Sequence, residues 1–279
     1  MTEVTRNLLK NYPVALGAGG FGLVKTGNRP PFDGFAVKFM RREYCETAKK
    51  EYIINKKISM AFDIFLRCEP TSEVTVVETL DFVNNCNYLE ESYGCGVIMK
   101  RLISPSSDGY AIHIAINGQL NRSNRNKIIY SNDIPRGYFY DADRILDIIK
   151  GSELTLDAIT YRIGLLDGIA IFGARIAPID AEYILVKNPN LSVAMIDYGL
   201  FIPLDVTMNN YQTIAEYIST QQDNNLYYHP HSDAIPREYQ EICKIAFIRG
   251  ITKAYECFRV ANDMNYDLLY NKLVELYED

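Results

Sequence analysis

Apolar and polar positions alternate in short runs through the first hundred residues and recur at helical spacing through the second half. "PVALG", "FGLVKTG" and "FAVKFM" are β-prone runs cut by glycine or proline, which predicts strands. In "TAKKEYIINKKISMAFDIFL", Ile54, Ile58, Ala61, Phe62 and Phe65 fall on one stripe, so a helix is predicted over 47–66. "EVTVVETLDFV" and "YGCGVIMKRLI" predict two more strands. Residues 104–137 break the rhythm. "GYAIHIAINGQL" alternates up to an Asn117-Gly118 turn signal and predicts a hairpin, while "NRSNRNK" is polar and turn-rich, so the region reads as an insertion. Beyond it, Leu156, Ile159, Ile163, Leu166 and Ala170 share one helical face. "AEYILV" and "SVAMIDYG" predict two strands joined by "KNPNL", and two helices follow over about 236–260 and 266–277. The fold class expected is α+β, with a strand-rich first part and a mainly helical second part.

Composition narrows the function classes. At 279 residues the chain is long enough for a substantial core. Its net charge of −6 disfavours a broad nucleic-acid surface, which needs clustered Lys and Arg. Cys45, Cys68, Cys86, Cys95, Cys243 and Cys257 show no C-x-x-C spacing. They read as reduced thiols in a cytoplasmic protein, with no structural metal expected. The N-terminus lacks a long apolar segment and no run approaches a membrane span, so no membrane partner is expected.

Three signals carry chemistry. The first is the segment Gly17-Ala18-Gly19-Gly20-Phe21-Gly22-Leu23-Val24. Glycines let a backbone approach phosphates closely, and their exposed N–H groups bind anions. Phe21 would cap the loop tip and Val24 would pack on an adenine ring. Alone, the loop reads equally well as a plain hairpin. The second signal is Lys38 in "FAVKF". It shares a strand face with Ala36, and its apolar flanks make an unpartnered inward lysine costly. Glu51 lies on the inward stripe of the next helix and can pair with it. Glu43 and Glu46 are alternatives, Glu46 on the opposite face. The third is Asp197 in "VAMIDYGL", a carboxylate ending an apolar strand, suited to a magnesium ion on phosphates.

In this order, with "VIMKRL" between, the constellation resembles the protein-kinase-like superfamily from residue 16 to residue 199. The resemblance implies a two-lobed fold. Residues 1–102 would form the β-rich N-lobe with one helix, and 103–279 the helical C-lobe carrying the inserted hairpin region. It implies that ATP and Mg2+ bind, with Lys38 on the α and β phosphates, Glu51 orienting Lys38 and Asp197 on the metal. Met99 would be the gatekeeper, and the segment from Lys100 the hinge that holds adenine.

The departures concern the catalytic loop, H-R-D-x-x-x-x-N in protein kinases. Aligned on the strand "ILV", Tyr183 stands where that Asn would be, and Pro178 where the Asp would be. Glu182 and Tyr183 fall on opposite strand faces, so at most one faces the cleft. No A-P-E motif follows Asp197. The segment "ARIAPIDAEYILV" with "DNNLYYHPHSD" also resembles a fungal kinase-like domain family of unknown function. Asp180, Glu182, Tyr183 and Leu185 match its first pattern, and Asn224, Tyr227, Tyr228 and Pro230 its second. That family often has a further aspartate where Ala177 stands here.

The function expected is an atypical Mg2+-dependent phosphotransferase. Asp180 would be its general base or a substrate-orienting carboxylate, and a protein or small molecule its phosphoacceptor, with His229 and His231 as candidate contacts. The alternatives are a nucleotide-binding pseudokinase scaffold, and an interaction protein with a relic core and a tyrosine-rich C-terminal half.

Overall fold

The computed structural model describes residues 14–18, 22–27, 29–30, 32–71, 73–84, 93–103, 105, 112–114, 138–140, 154–179, 181–188, 190–224, 237–261 and 263–278. The predicted turn at Asn117-Gly118 and the segment with His229 and His231 lie outside them, as do Gly19, Gly20, Phe21 and Asp180.

The chain is α+β. Its strands are β1 (Val14–Ala18), β2 (Gly22–Thr26), β3 (Phe35–Arg41), β4 (Val74–Val76), β5 (Thr79–Asn84), β6 (Tyr93–Lys100), β7 (Ile112–Ile114), β8 (Tyr138–Tyr140), β9 (Ile176–Ala177), β10 (Glu182–Asn188), β11 (Asn190–Ile196) and β12 (Ile202–Pro203). The helices are α1 (Cys45–Cys68), α2 (Leu156–Gly168), α3 (Tyr211–Asn224), α4 (Arg237–Phe258) and α5 (Met264–Glu278). One antiparallel sheet has the order β1-β2-β3-β6-β5, and a mixed sheet has the order β4-β11-β10-β7-β8.

Helix α1 joins the two sheets, and its sequence explains why. The predicted stripe Ile54, Ile58, Ala61, Phe62 and Phe65 is buried, in the large core that α2, α4 and α5 share with β10 and β11. Nearer its start, Ala48 packs instead on Met40, Cys95 and Val97 of the first sheet. The opposite face of that sheet buries Val37, Phe39, Val83 and Ile98.

Several expectations change. "EVTVVETLDFV" is two strands in different sheets, with the ladder broken at Val77 and Glu78. Tyr198 Oη accepts from Val77 N–H, and Asn55 Oδ1 accepts from Thr79 N–H at 3.1 Å and from Thr79 Oγ1 at 2.7 Å. These side chains satisfy buried groups that a ladder would otherwise take. Within 104–137 the described strand β7 pairs with both β10 and β8 in the second sheet. Helix α3 has no counterpart in the hydrophobic pattern read from sequence. Helix α2 is buried nearly all round, including Thr160, Arg162 and Asp167. Of the C-terminal tyrosines, Tyr255, Tyr266 and Tyr277 are buried in the core, not displayed for a partner.

The cysteine expectation is overturned for four of the six. Cys45 is joined to Cys95 and Cys68 to Cys257, across sequence separations of 50 and 189. Such distances leave no spacing signature, and the cysteine ground for a reducing compartment is lost with them. Among the described residues no helix is long and apolar enough to cross a membrane.

Candidate functional site

Strand alternation builds one wall of the site. Lys38 stands directly across from Val24 on β2 and Val97 on β6. Two residues back, Ala36 stands across from Thr26 and Met99. These positions share the sheet face that α1 covers, so the predicted Val24, Ala36, Lys38 and Met99 do come to one surface. Gly17 pairs with Val24 across the β1–β2 hairpin, after an irregularity between Ala15 and Gly17. Gly22 is demanded by space: a Cβ there would lie 1.9 Å from the Phe39 carbonyl oxygen.

Helix α1 supplies the second wall. Glu51 is buried, and both its carboxylate oxygens accept from Lys38 Nζ at 2.9 Å. Glu43 and Glu46, the alternatives, are exposed. The third contribution comes after β11. Asp197 Oδ1 accepts from Lys38 Nζ at 3.0 Å. One ammonium group is thus clamped by carboxylates from two distant parts of the chain. Asp197 also has φ 57, a left-handed conformation rare for a residue with a side chain. The strained position is therefore Asp197 itself, not Gly199, whose added Cβ would make only ordinary contacts, the nearest at 3.6 Å to Asp197 Oδ1.

Burial decides which contact can open. The side chains are 15% exposed for Lys38, 8% for Glu51 and 37% for Asp197. Burial works against the Lys38 charge, but the Glu51 and Asp197 carboxylates outweigh it and raise its pKa. Burial pushes the Glu51 carboxyl upward; Lys38 opposes this, and the charges of Asp197 and Glu182 add to it. Among the described residues no group of three or more His, Cys, Asp or Glu converges as a metal site. Magnesium commonly takes one or two carboxylates and completes its shell with phosphate oxygens and water, which suits Asp197.

Alternation allows at most one of Glu182 and Tyr183 to face the cleft, and Tyr183 faces the core. Its side chain points into the main core, where its hydroxyl donates to Asp167 on α2. Leu185 faces the same way, while Ile184 and Val186 pack on Ala194, Leu102 and Ile196 on the other face. Alternation then puts Glu182 on the Ile184 side, where its charge reaches Glu51. Glu182, opposite Ile196 in the ladder and one residue from Asp197 in register, opens the strand on the face whose charge acts on Glu51. Counting five residues back from Glu182 reaches Ala177, fully buried in β9 and paired with Ile202. Pro178 follows β9 directly.

Two side chains that sequence reasoning passed over support this arrangement. Tyr198 is buried, donates to the Met195 carbonyl at 2.7 Å and packs edge-on against Phe201. Asn55 ties α1 to the start of β5. An asparagine inside an apolar helical stripe, next to Ile54, was the available signal for the second. Comparison with models of known protein families gives no match, and comparison with curated proteins gives none either.

Proposed function

We propose that this chain is a nucleotide-binding protein of two-lobed, protein-kinase-like design that takes ATP with Mg2+, and that it acts as an atypical phosphotransferase. The observation that carries the reading is the single ammonium of Lys38 held by both Glu51 oxygens and by Asp197 Oδ1. A buried lysine paired from a neighbouring helix and a strand-end carboxylate is the arrangement used to fix phosphates.

The chain's own residues divide the work. Glu51, buried and doubly bonded, keeps Lys38 in place and charged. Asp197 is the more exposed partner and is free to exchange its lysine contact for a metal. A magnesium ion bound there would neutralise charge on the phosphates. Val24, Ala36 and Met99 give the apolar wall against which an adenine packs, with the segment from Lys100 at its edge. Lys100 is itself tethered, its N–H donating to the Glu78 carbonyl at 2.9 Å. Asp180 is the expected base, and the phosphoacceptor a protein or small-molecule hydroxyl.

Titration calorimetry with a non-hydrolysable ATP analogue and Mg2+ tests the reading. Wild type binds and Lys38→Met does not; absence of binding by wild type sinks it. A second reading, a nucleotide-holding scaffold without transfer, is favoured by buried Ala177 and by Tyr183 turned onto Asp167. Incubation with γ-labelled ATP separates the two: label appears on an acceptor only if the transferase reading is right, and not with Lys38→Met.

A further inference from the structure

Helix α1 carries Glu51, and its first and last residues are both disulfide-bonded. Cys45 is tied to β6 of the first sheet, and Cys68 to Cys257 near the end of α4. The two links do different jobs. Glu51 is six residues from Cys45, about 9 Å along the helix, and much farther from Cys68. On the sheet side, Cys95 stands opposite Met40, and Val97 stands opposite Lys38. The covalent link and the ion pair therefore join the same helix to the same sheet in neighbouring rows, about 7 Å apart along β3.

Beside the disulfide, the start of α1 rests on a small set of contacts, Ala48 and the half-buried Tyr44 and Tyr52 against Met40, Cys95 and Val97. The preceding 3-10 turn Arg42–Tyr44 buries no residue, and no side chain caps the helix. Glu46, Lys49 and Lys50 are exposed, and Ala48 is the one buried residue of α1 before Glu51. Contact with β6 is nonetheless close. A Cβ on Gly94 would lie 2.7 Å from Arg42 Cα and 2.9 Å from Cys45 Sγ. Helix ends with few buried contacts open at low cost unless something ties them down.

We infer that the Cys45–Cys95 disulfide is a redox latch on the Lys38–Glu51 pair, and so, resting on the nucleotide reading above, on nucleotide affinity. Oxidised, it holds the first turns of α1 on β6 and Glu51 against Lys38. Reduction needs a dithiol. Its two sulfurs form a disulfide, while two electrons and two protons pass to the sulfurs of Cys45 and Cys95. The freed turns then leave the sheet, and Lys38 keeps Asp197 as its remaining carboxylate partner in the triad.

The test combines hydrogen–deuterium exchange with binding of a fluorescent ATP analogue in Mg2+. It compares oxidised wild type, dithiol-treated wild type, Cys45→Ser, Cys95→Ser and Cys68→Ser. Residues 45–51 lose protection on dithiol treatment and in the first two variants, while Cys68→Ser keeps it, and α4 stays protected throughout. Nucleotide affinity falls about tenfold where that protection is lost. Unchanged protection over 45–51 overturns the latch, as does a loss that spreads through α4, or equal affinity in latched and unlatched protein. If oxidised protein binds no nucleotide while 45–51 still opens on reduction, the latch on Glu51 stands and the nucleotide reading falls.

Discussion

Tyr183 on β10 donates its phenol hydrogen to Asp167 on α2, and both residues are buried. Burial pushes the Asp167 carboxyl up to about 8, with the Tyr183 hydrogen bond opposing. The native chain therefore holds a proton at neutral pH that the unfolded chain has released. The stabilising contribution of this protonated group is complete below about pH 4 and is lost as pH rises through about 8. Across that window the group's contribution to folding free energy falls by about 1.4 kcal/mol per pH unit. Asp167→Asn keeps an acceptor for Tyr183 and cannot titrate. Urea unfolding of both proteins from pH 5 to pH 8 should show the slope flattened in the variant.

The Lys38 clamp predicts a separation of stability from binding. Lys38→Met leaves the buried Glu51 without a counter-charge and costs about 3 kcal/mol. Lys38→Met with Glu51→Leu removes both buried charges and recovers much of that loss, because a packed apolar pair has no desolvation penalty. Neither variant binds ATP. Chemical denaturation reads the first effect and calorimetry the second.

Gly22 offers a test of the roof of the site. A Cβ at that position meets the Phe39 carbonyl oxygen at 1.9 Å and Met40 Cα at 3.1 Å, backbone atoms that cannot rotate away. Gly22→Ala should force β2 off β3 and cost about 1–3 kcal/mol. The Val24–Lys38 pairing lies in the same ladder, so nucleotide affinity should fall as well. Thermal unfolding and analogue titration on one preparation check both.

Tyr198→Phe removes a hydroxyl with two buried partners, the Val77 N–H and the Met195 carbonyl. The ring still fills its place against Phe201. The expected loss is about 1–3 kcal/mol, the desolvation cost of unsatisfied groups. A lower urea midpoint with an unchanged slope is the outcome to look for.

The local pattern determined much of this protein. Helix α1, the β10–β11 pair and the two C-terminal helices follow from periods of 3.6 and 2 in the apolar residues, because burial selects one face. Glu51 was legible as the lysine's partner for the same reason: it sits on the buried stripe and Glu46 does not. Tertiary structure decided what periodicity leaves open. Alternation allowed at most one of Glu182 and Tyr183 to face the cleft, and the buried Asp167 turned Tyr183 to the core by accepting its phenol hydrogen. The break at Val77 depended on Tyr198 and Asn55, which lie far away in the chain. The disulfides at both ends of α1 joined cysteines whose sequence spacing carried no signal, since only the packed helix brings those sulfurs together.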